Sequence, residues 1–120
     1  MDRTILFIGA LAGLTGVAFG AFGAHFLKAR LTAEMLAVFE TGVRYQLYHA
    51  AALVGAAALS GRISDRSLTL AGWLFGVGIV LFSGSLYALA LTGIGVLGAI
   101  TPLGGVAFIA GWLCLLLAAI

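Results

Sequence analysis

The sequence predicts an all-α membrane protein: four transmembrane helices in a compact bundle, with an amphipathic interfacial helix between the first and the second. Three observations predict it. Of the 120 residues, 63% are hydrophobic and 8% charged, against roughly 25% charged in a soluble domain, so polar side chains are too few to cover a water-exposed fold. No charged side chain occurs from Ser67 to Ile120, a length that accommodates two crossings of about 20 residues each and a turn. The remaining apolar runs are bounded by the few charges, which gives crossings at 4–24, 45–60, 67–91 and 100–119. Short loops join them in one integral-membrane domain over residues 1–120, with both termini on one side.

The first crossing follows Asp2 and Arg3 and ends in small residues, as a signal peptide does, but its apolar stretch exceeds the roughly 7–15 residues of a signal h-region. It is read as a permanent span. Gly9, Gly13, Gly16, Gly20 and Gly23 fall within an arc of about 80° on a helical projection. Such a stripe lets a second backbone approach closely, either within the bundle or from another protomer or partner protein. Gly72 and Gly76 repeat the small-xxx-small spacing on the third crossing, and Gly104 and Gly111 share a face of the fourth.

Residues 32–44 begin with Thr32 as an N-cap and Glu34 in the first turn. Leu31, Met35, Leu36, Val38, Phe39 and Val43 fall in one arc, and Glu34, Glu40, Thr41 and Arg44 fall opposite, the pattern of a helix lying in the interface. Gly42 is the one weak point before Tyr45, so this helix is able to run on into the second crossing.

The uncharged turn from Thr92 to Gly98 reverses the chain, and Thr101-Pro102 reads as a helix start with Thr101 as cap and Pro102 at the first helical position. Trp73 fits an interfacial anchor. Trp112 lies well inside the fourth crossing, where its indole N–H needs an internal acceptor. Cys114 is the only cysteine, so it supports neither a disulfide nor a thiolate metal site.

The densest polar cluster is Glu40-Thr41-Gly42-Val43-Arg44-Tyr45-Gln46-Leu47-Tyr48-His49. Glu40 and Arg44 have the favourable order for a helical ion pair. The polar side chains spread over about 240° of the helix, too wide an arc for all of them to face lipid. Two readings stay open. Arg44 lies about 27 Å along the helix from Arg62, so the two stand near opposite interfaces, Arg44 snorkelling and the tyrosines forming an aromatic belt. Alternatively the cluster is a pocket for a ligand or lipid headgroup.

His25 closes the first crossing and could meet this cluster, but two histidines with Glu34 or Glu40 make a poor zinc site, so no metal and no cofactor is expected. Ser83, Ser85 and Tyr87 place hydroxyls deep in the third crossing, where bonding to carbonyls or a neighbouring helix is the ordinary role. No base–nucleophile pair marks any of them as catalytic.

Six basic and four acidic residues, dispersed along the chain, do not form a nucleic-acid groove. The basic residues divide between Arg3, Arg62 and Arg66 at one side and Lys28, Arg30 and Arg44 at the other. With Arg44 engaged within the protein, the positive-inside rule puts both termini in the cytoplasm.

Four segments in order, Gly20-Ala21-Phe22-Gly23-Ala24-His25, the polar run of residues 40–49, Phe82-Ser83-Gly84-Ser85-Leu86-Tyr87 and Thr101-Pro102-Leu103-Gly104-Gly105, together resemble the YgdD/YwdK family of small multi-pass inner-membrane proteins. The resemblance covers essentially the whole chain and implies an inner-membrane location, but no established activity. Its motifs coincide with the polar positions, so His25, Glu40, Arg44, Tyr45, Gln46, Tyr48, His49, Ser83, Ser85 and Tyr87 form the candidate site.

The function expected is non-enzymatic: binding of membrane lipid, or support of a larger membrane assembly as a homo-oligomer or with a membrane-protein partner. The alternative is a small oligomeric transporter or channel that uses the polar cluster. A membrane enzyme with His25 and His49 as acid and base is the third reading.

Overall fold

A computed structural model describes residues 2–120. Helix α1 (Asp2–His25) leads through a short 3-10 turn (Leu27–Ala29) into α2 (Ala33–Ala58). A tight connection follows, and then α3 (Asp65–Gly78), a π-helical turn (Ile79–Ser83) and α4 (Gly84–Thr92) form one continuous rod. A second 3-10 turn (Gly95–Ala99) leads to α5 (Thr101–Ala118). The four rods pack lengthwise into a bundle 47 Å long, and among the described residues there is no sheet.

Residues 3–29, 65–92 and 95–118 are long and apolar enough to cross a membrane. α2 has 26 residues but is the most polar of the four rods, because Glu40, Arg44, Gln46 and His49 lie in its first two-thirds.

The connections are determined by local chemistry. Thr32 caps α2, its Oγ1 accepting from the Met35 N–H at 3.2 Å. Ser64 caps α3 in the same way through the Ser67 N–H. Gly61 and Gly93 adopt φ of +83° and +73°, a left-handed conformation that disfavours any residue with a Cβ, and Gly93 terminates α4 with its N–H on the Leu89 carbonyl.

The amphipathic segment runs without a break into residues 45–58 as one helix, as the weak point at Gly42 left open, and its apolar arc packs within the bundle. Phe39 and Val43 are buried with Leu27 and Ala90, and Leu31, Leu36 and Val38 pack around them. The bundle extends far enough to use that face as core. One expectation needs correction: Thr101 is not a side-chain cap, because its hydroxyl lies 2.6 Å from the Ser85 hydroxyl, so α5 is tied to α4 at its first residue.

The glycine stripe of α1 runs along α2 in the antiparallel sense. A Cβ on Gly9 would lie 2.8 Å from the Leu53 Cβ, one on Gly16 would meet Leu47, one on Gly20 Val43, and one on Gly23 the Phe39 ring. The stripe therefore serves close packing inside one chain. On α3, Gly72 receives Ile5 and Gly76 lies beside Ile8, so α1 and α3 run parallel. α3 and α5 interlock through ring-on-glycine contacts, Phe108 over Gly78 and Phe75 over Gly111.

These contacts differ in how far they can yield. At Gly9 the obstacles include the Leu53 Cβ and, at 3.1 Å, the Val54 backbone N, whereas at Gly13 the nearest atom is the Ala50 Cβ at 3.9 Å. Gly9→Val is expected to cost about 1–3 kcal/mol, and Gly13→Ala to be neutral or slightly stabilising. Thermal unfolding in mild detergent measures both; equal midpoints for the two variants would contradict the packing assigned to α1.

The core has two apolar ends. Ile5, Leu53, Ala56, Leu68, Ala71, Phe75 and Phe108 form one, and the Phe39 cluster forms the other. Between them along α2 and the third rod lies a layer of polar side chains.

Candidate functional site

The polar layer begins at the π turn. There the Gly84 N–H reaches back to the Ile79 carbonyl, one residue further than in an α-helix. The extra residue rotates the remainder of the rod, so the buried row that runs through Leu68, Ala71, Phe75 and Gly78 continues at Ser83 rather than at Phe82. Ser83 is fully buried and donates to the Gly42 carbonyl of α2 at 2.6 Å. Gly42 permits that approach, since a Cβ there would meet the Tyr87 ring at 2.8 Å and the Ser83 carbonyl oxygen at 3.3 Å.

One turn along α2, Gln46 is 3% exposed and connects three helices. Its Nε2 donates to the Ala12 carbonyl at 2.9 Å and to the Thr15 hydroxyl at 2.7 Å, and its Oε1 accepts from the Tyr87 hydroxyl at 2.6 Å. Ser85 donates to the Phe82 carbonyl, within its own rod, and shares a hydrogen bond with Thr101 of α5.

His49 is 5% exposed and held on both ring nitrogens. Nε2 accepts from the Trp112 indole N–H at 3.0 Å, which requires that nitrogen to be unprotonated, so Nδ1 carries the proton and donates to the Tyr45 carbonyl at 2.7 Å. The ring stacks on Phe108 with centroids 3.6 Å apart. A histidine held in this way is a neutral packing element. Among the described residues no buried side-chain nitrogen or oxygen lacks a hydrogen-bond partner.

The candidate residues therefore separate into two groups. Gln46, His49, Ser83, Ser85 and Tyr87 form the internal network. His25, Glu40, Arg44, Tyr45 and Tyr48 are exposed on the outside of the bundle. Glu40 and Arg44 line a cleft of about 240 Å³ with Gly20, Gly23, Phe39 and Val43, and the two do not form an ion pair with each other. Tyr48 is 57% exposed and packs edge-on against Tyr45, whose ring also lies against Phe82. His25 stands at the end of α1, outside the network, and among the described residues no three His, Cys, Asp or Glu side chains gather as metal ligands.

Thr15 and Thr101 belong to the network; Thr15 carries no signal in the sequence beyond being a hydroxyl on an apolar helix, and Thr101 was legible only as a helix start. Trp112 was legible, as an indole in need of an internal acceptor, and that acceptor is His49.

Long apolar helices, glycine-mediated packing and a polar interior satisfied within the protein define the class as a helical membrane protein. The chain belongs to the family described as protein of unknown function (DUF423), whose family model matches residues 19–105. It is 50% identical to the UPF0382 membrane protein YwdK of Bacillus subtilis, over 98% of this chain and 97% of that one. A UPF0382 membrane protein of Staphylococcus haemolyticus is 48% identical over 96% and 93% of the two chains, and one of Staphylococcus saprophyticus is 48% identical over 96% and 95%. No solved structure matches the chain.

Proposed function

We infer that the chain is a non-enzymatic inner-membrane protein that crosses the bilayer four times and binds a lipid headgroup at the Glu40–Arg44 cleft. One observation carries this reading: the internal polar groups bond to one another, whereas Glu40 and Arg44 are exposed beside a cleft and unpaired with each other. An outside molecule can reach these ionic groups without dismantling the fold.

Depth supports the same reading. From Arg44 to the end of α2 at Ala58 the rise is about 21 Å, and residues 59–62 turn the chain, so with α2 taken as the second crossing and its C-terminal end at one interface, Arg44 stands toward the opposite headgroup layer. Counting from Arg3 along α1 brings Gly20 and Gly23 to the same level. The first ten or so residues of α2 then project into the headgroup layer, which accommodates Glu34 and Glu40. The condition for placing both termini in the cytoplasm, Arg44 engaged within the protein, is not met: Arg44 is exposed, so Arg3, Arg62 and Arg66 at one end balance Lys28, Arg30 and Arg44 at the other and the charge rule assigns no orientation.

The rival readings have less support. The interior is filled by Phe75, Leu53 and Leu68 and by bonded polar groups, so a transport path would have to run between protomers. Gly9, Gly16, Gly20 and Gly23 of α1 are met closely by α2 side chains, so packing within the chain accounts for most of the stripe. His25 and His49 do not share a site, so they are not an acid–base pair.

The test is extraction of the full chain in mild detergent followed by mass spectrometry of the co-purifying molecules. A phospholipid in stoichiometric amount that falls about tenfold in Arg44→Gln is the expected result. Equal retention by the variant, or a stoichiometric protein in place of lipid, would overturn the reading.

A further inference from the structure

The Glu40–Arg44 cleft does not stand alone. A second, larger groove of about 550 Å³ lies further along the same α1–α2 seam, bounded by Gly9 and Gly13 of α1 and by Leu47, Ala51 and Val54 of α2. Among the α2 residues lining the two openings, Glu40, Arg44, Leu47, Ala51 and Val54 stand at spacings of four, three, four and three, one row on the outer side of the seam, while Phe39, Val43 and Ala50 line it from the side nearer α1. That face is opposite to the one carrying Gln46, His49 and Leu53. The seam thus presents charge at one end and, directly beneath it, a trough floored by glycine and alanine.

We propose that this seam binds one whole phospholipid with a primary ammonium in its headgroup, the phosphate on Arg44, the ammonium on Glu40 and one acyl chain lying in the trough. The proposal rests on the headgroup reading above and extends it to the chain and to the headgroup class. From Arg44 to Val54 the row descends about 15 Å, the hydrocarbon depth of a single leaflet, so an acyl chain leaving the cleft fits the trough in length.

Charge complementarity selects the headgroup. An arginine and a carboxylate one helical turn apart match a phosphate and a cation separated by a short linker. A purely anionic headgroup would satisfy Arg44 and be repelled by Glu40. A primary ammonium donates hydrogen bonds to the Glu40 carboxylate, whereas a quaternary one cannot and is bound instead by aromatic cages. The cleft holds one aromatic residue, Phe39, and that side chain is buried.

The experiment is native mass spectrometry of the full chain with four added probes: dioleoyl phosphatidylethanolamine, dioleoyl phosphatidylglycerol, dihexanoyl phosphatidylethanolamine and phosphoethanolamine. Arg44→Gln tests the headgroup end. Ala51→Phe tests the trough; Ala51 is exposed, so the added ring points out of the bundle and fills the groove. Unfolding midpoints of both variants serve as the folding control, and Gly13→Ala, which narrows the trough against Ala50 alone, is the second variant should Ala51→Phe be unstable.

The dioleoyl ethanolamine lipid is expected to be retained over the other three probes, and to fall about tenfold in each of Arg44→Gln and Ala51→Phe. Loss in Arg44→Gln with full retention in Ala51→Phe and Gly13→Ala would overturn the trough and leave the headgroup reading intact. Full retention in all variants would overturn both. Equal retention of the glycerol lipid overturns the ammonium assignment, and binding of phosphoethanolamine alone overturns the lipid assignment in favour of a free phosphate ester. A dimer that Ala51→Phe converts to monomer would make the trough an interface between copies and likewise overturn the lipid assignment.

Discussion

Gly104→Leu is expected to abolish the folded bundle. A Cβ at this position falls on the backbone of Phe82, 2.7 Å from its Cα and in contact with its N, within the π turn where α5 crosses the third rod. Where a clash involves the end of a flexible side chain, overpacking costs about 1–3 kcal/mol. Backbone cannot rotate aside, so α5 must lift away. The displacement would break the Ser85–Thr101 hydrogen bond, draw Trp112 from His49 and withdraw Phe108 from Gly78. The neighbouring Gly105 is the control, because its Cβ would stand 4.0 Å from the Phe82 ring, an ordinary contact. Size-exclusion profiles after a heating series should show wild-type behaviour for Gly105→Ala and no monodisperse species at room temperature for Gly104→Leu. A wild-type midpoint for Gly104→Leu would refute the close crossing.

The phase of the glycines was legible in the sequence because helical geometry relates spacing directly to facing: five glycines in one arc of α1 can only lie along one neighbour. Which neighbour was not legible, because residues 9 and 53 meet only once the connection at 26–32 has turned the chain. The internal network was half legible. Gln46, His49, Ser83 and Tyr87 are conspicuous as polar groups on apolar helices, but the bonds joining them span 41 residues from Gly42 to Ser83 and 63 from His49 to Trp112.

The π turn was hidden altogether. Nothing in Ile79-Val80-Leu81-Phe82-Ser83 departs from ordinary helical sequence, yet the one-residue shift decides that Ser83 rather than Phe82 points inward. The packing partner of the amphipathic segment was hidden for a related reason. Its apolar arc was correctly drawn, but periodicity alone cannot tell a face that meets lipid headgroups from one that meets Tyr87 and Leu27.

Gln46→Leu is the second substitution with a large expected effect, and paired with Tyr87→Phe it tests whether the polar layer stabilises the bundle as a unit. Leucine is close to glutamine in volume, so packing changes little and the loss is electrostatic. Two hydrogen bonds from Nε2 to α1 disappear, each contributing about 0.5–1 kcal/mol in a membrane bundle. The Tyr87 hydroxyl also loses its acceptor in a half-buried position, which costs about 1–3 kcal/mol. The single variant should therefore be destabilised by about 2–5 kcal/mol. Tyr87→Phe alone orphans the Gln46 Oε1 and should cost about 1–2 kcal/mol. In the double variant neither orphan exists, so it should be no less stable than Gln46→Leu alone, a coupling of about 1 kcal/mol or more. Reversible unfolding in mixed detergent measures all three. Strict additivity would mean that the Tyr87–Gln46 bond contributes nothing, and that shape alone holds α2 against α4.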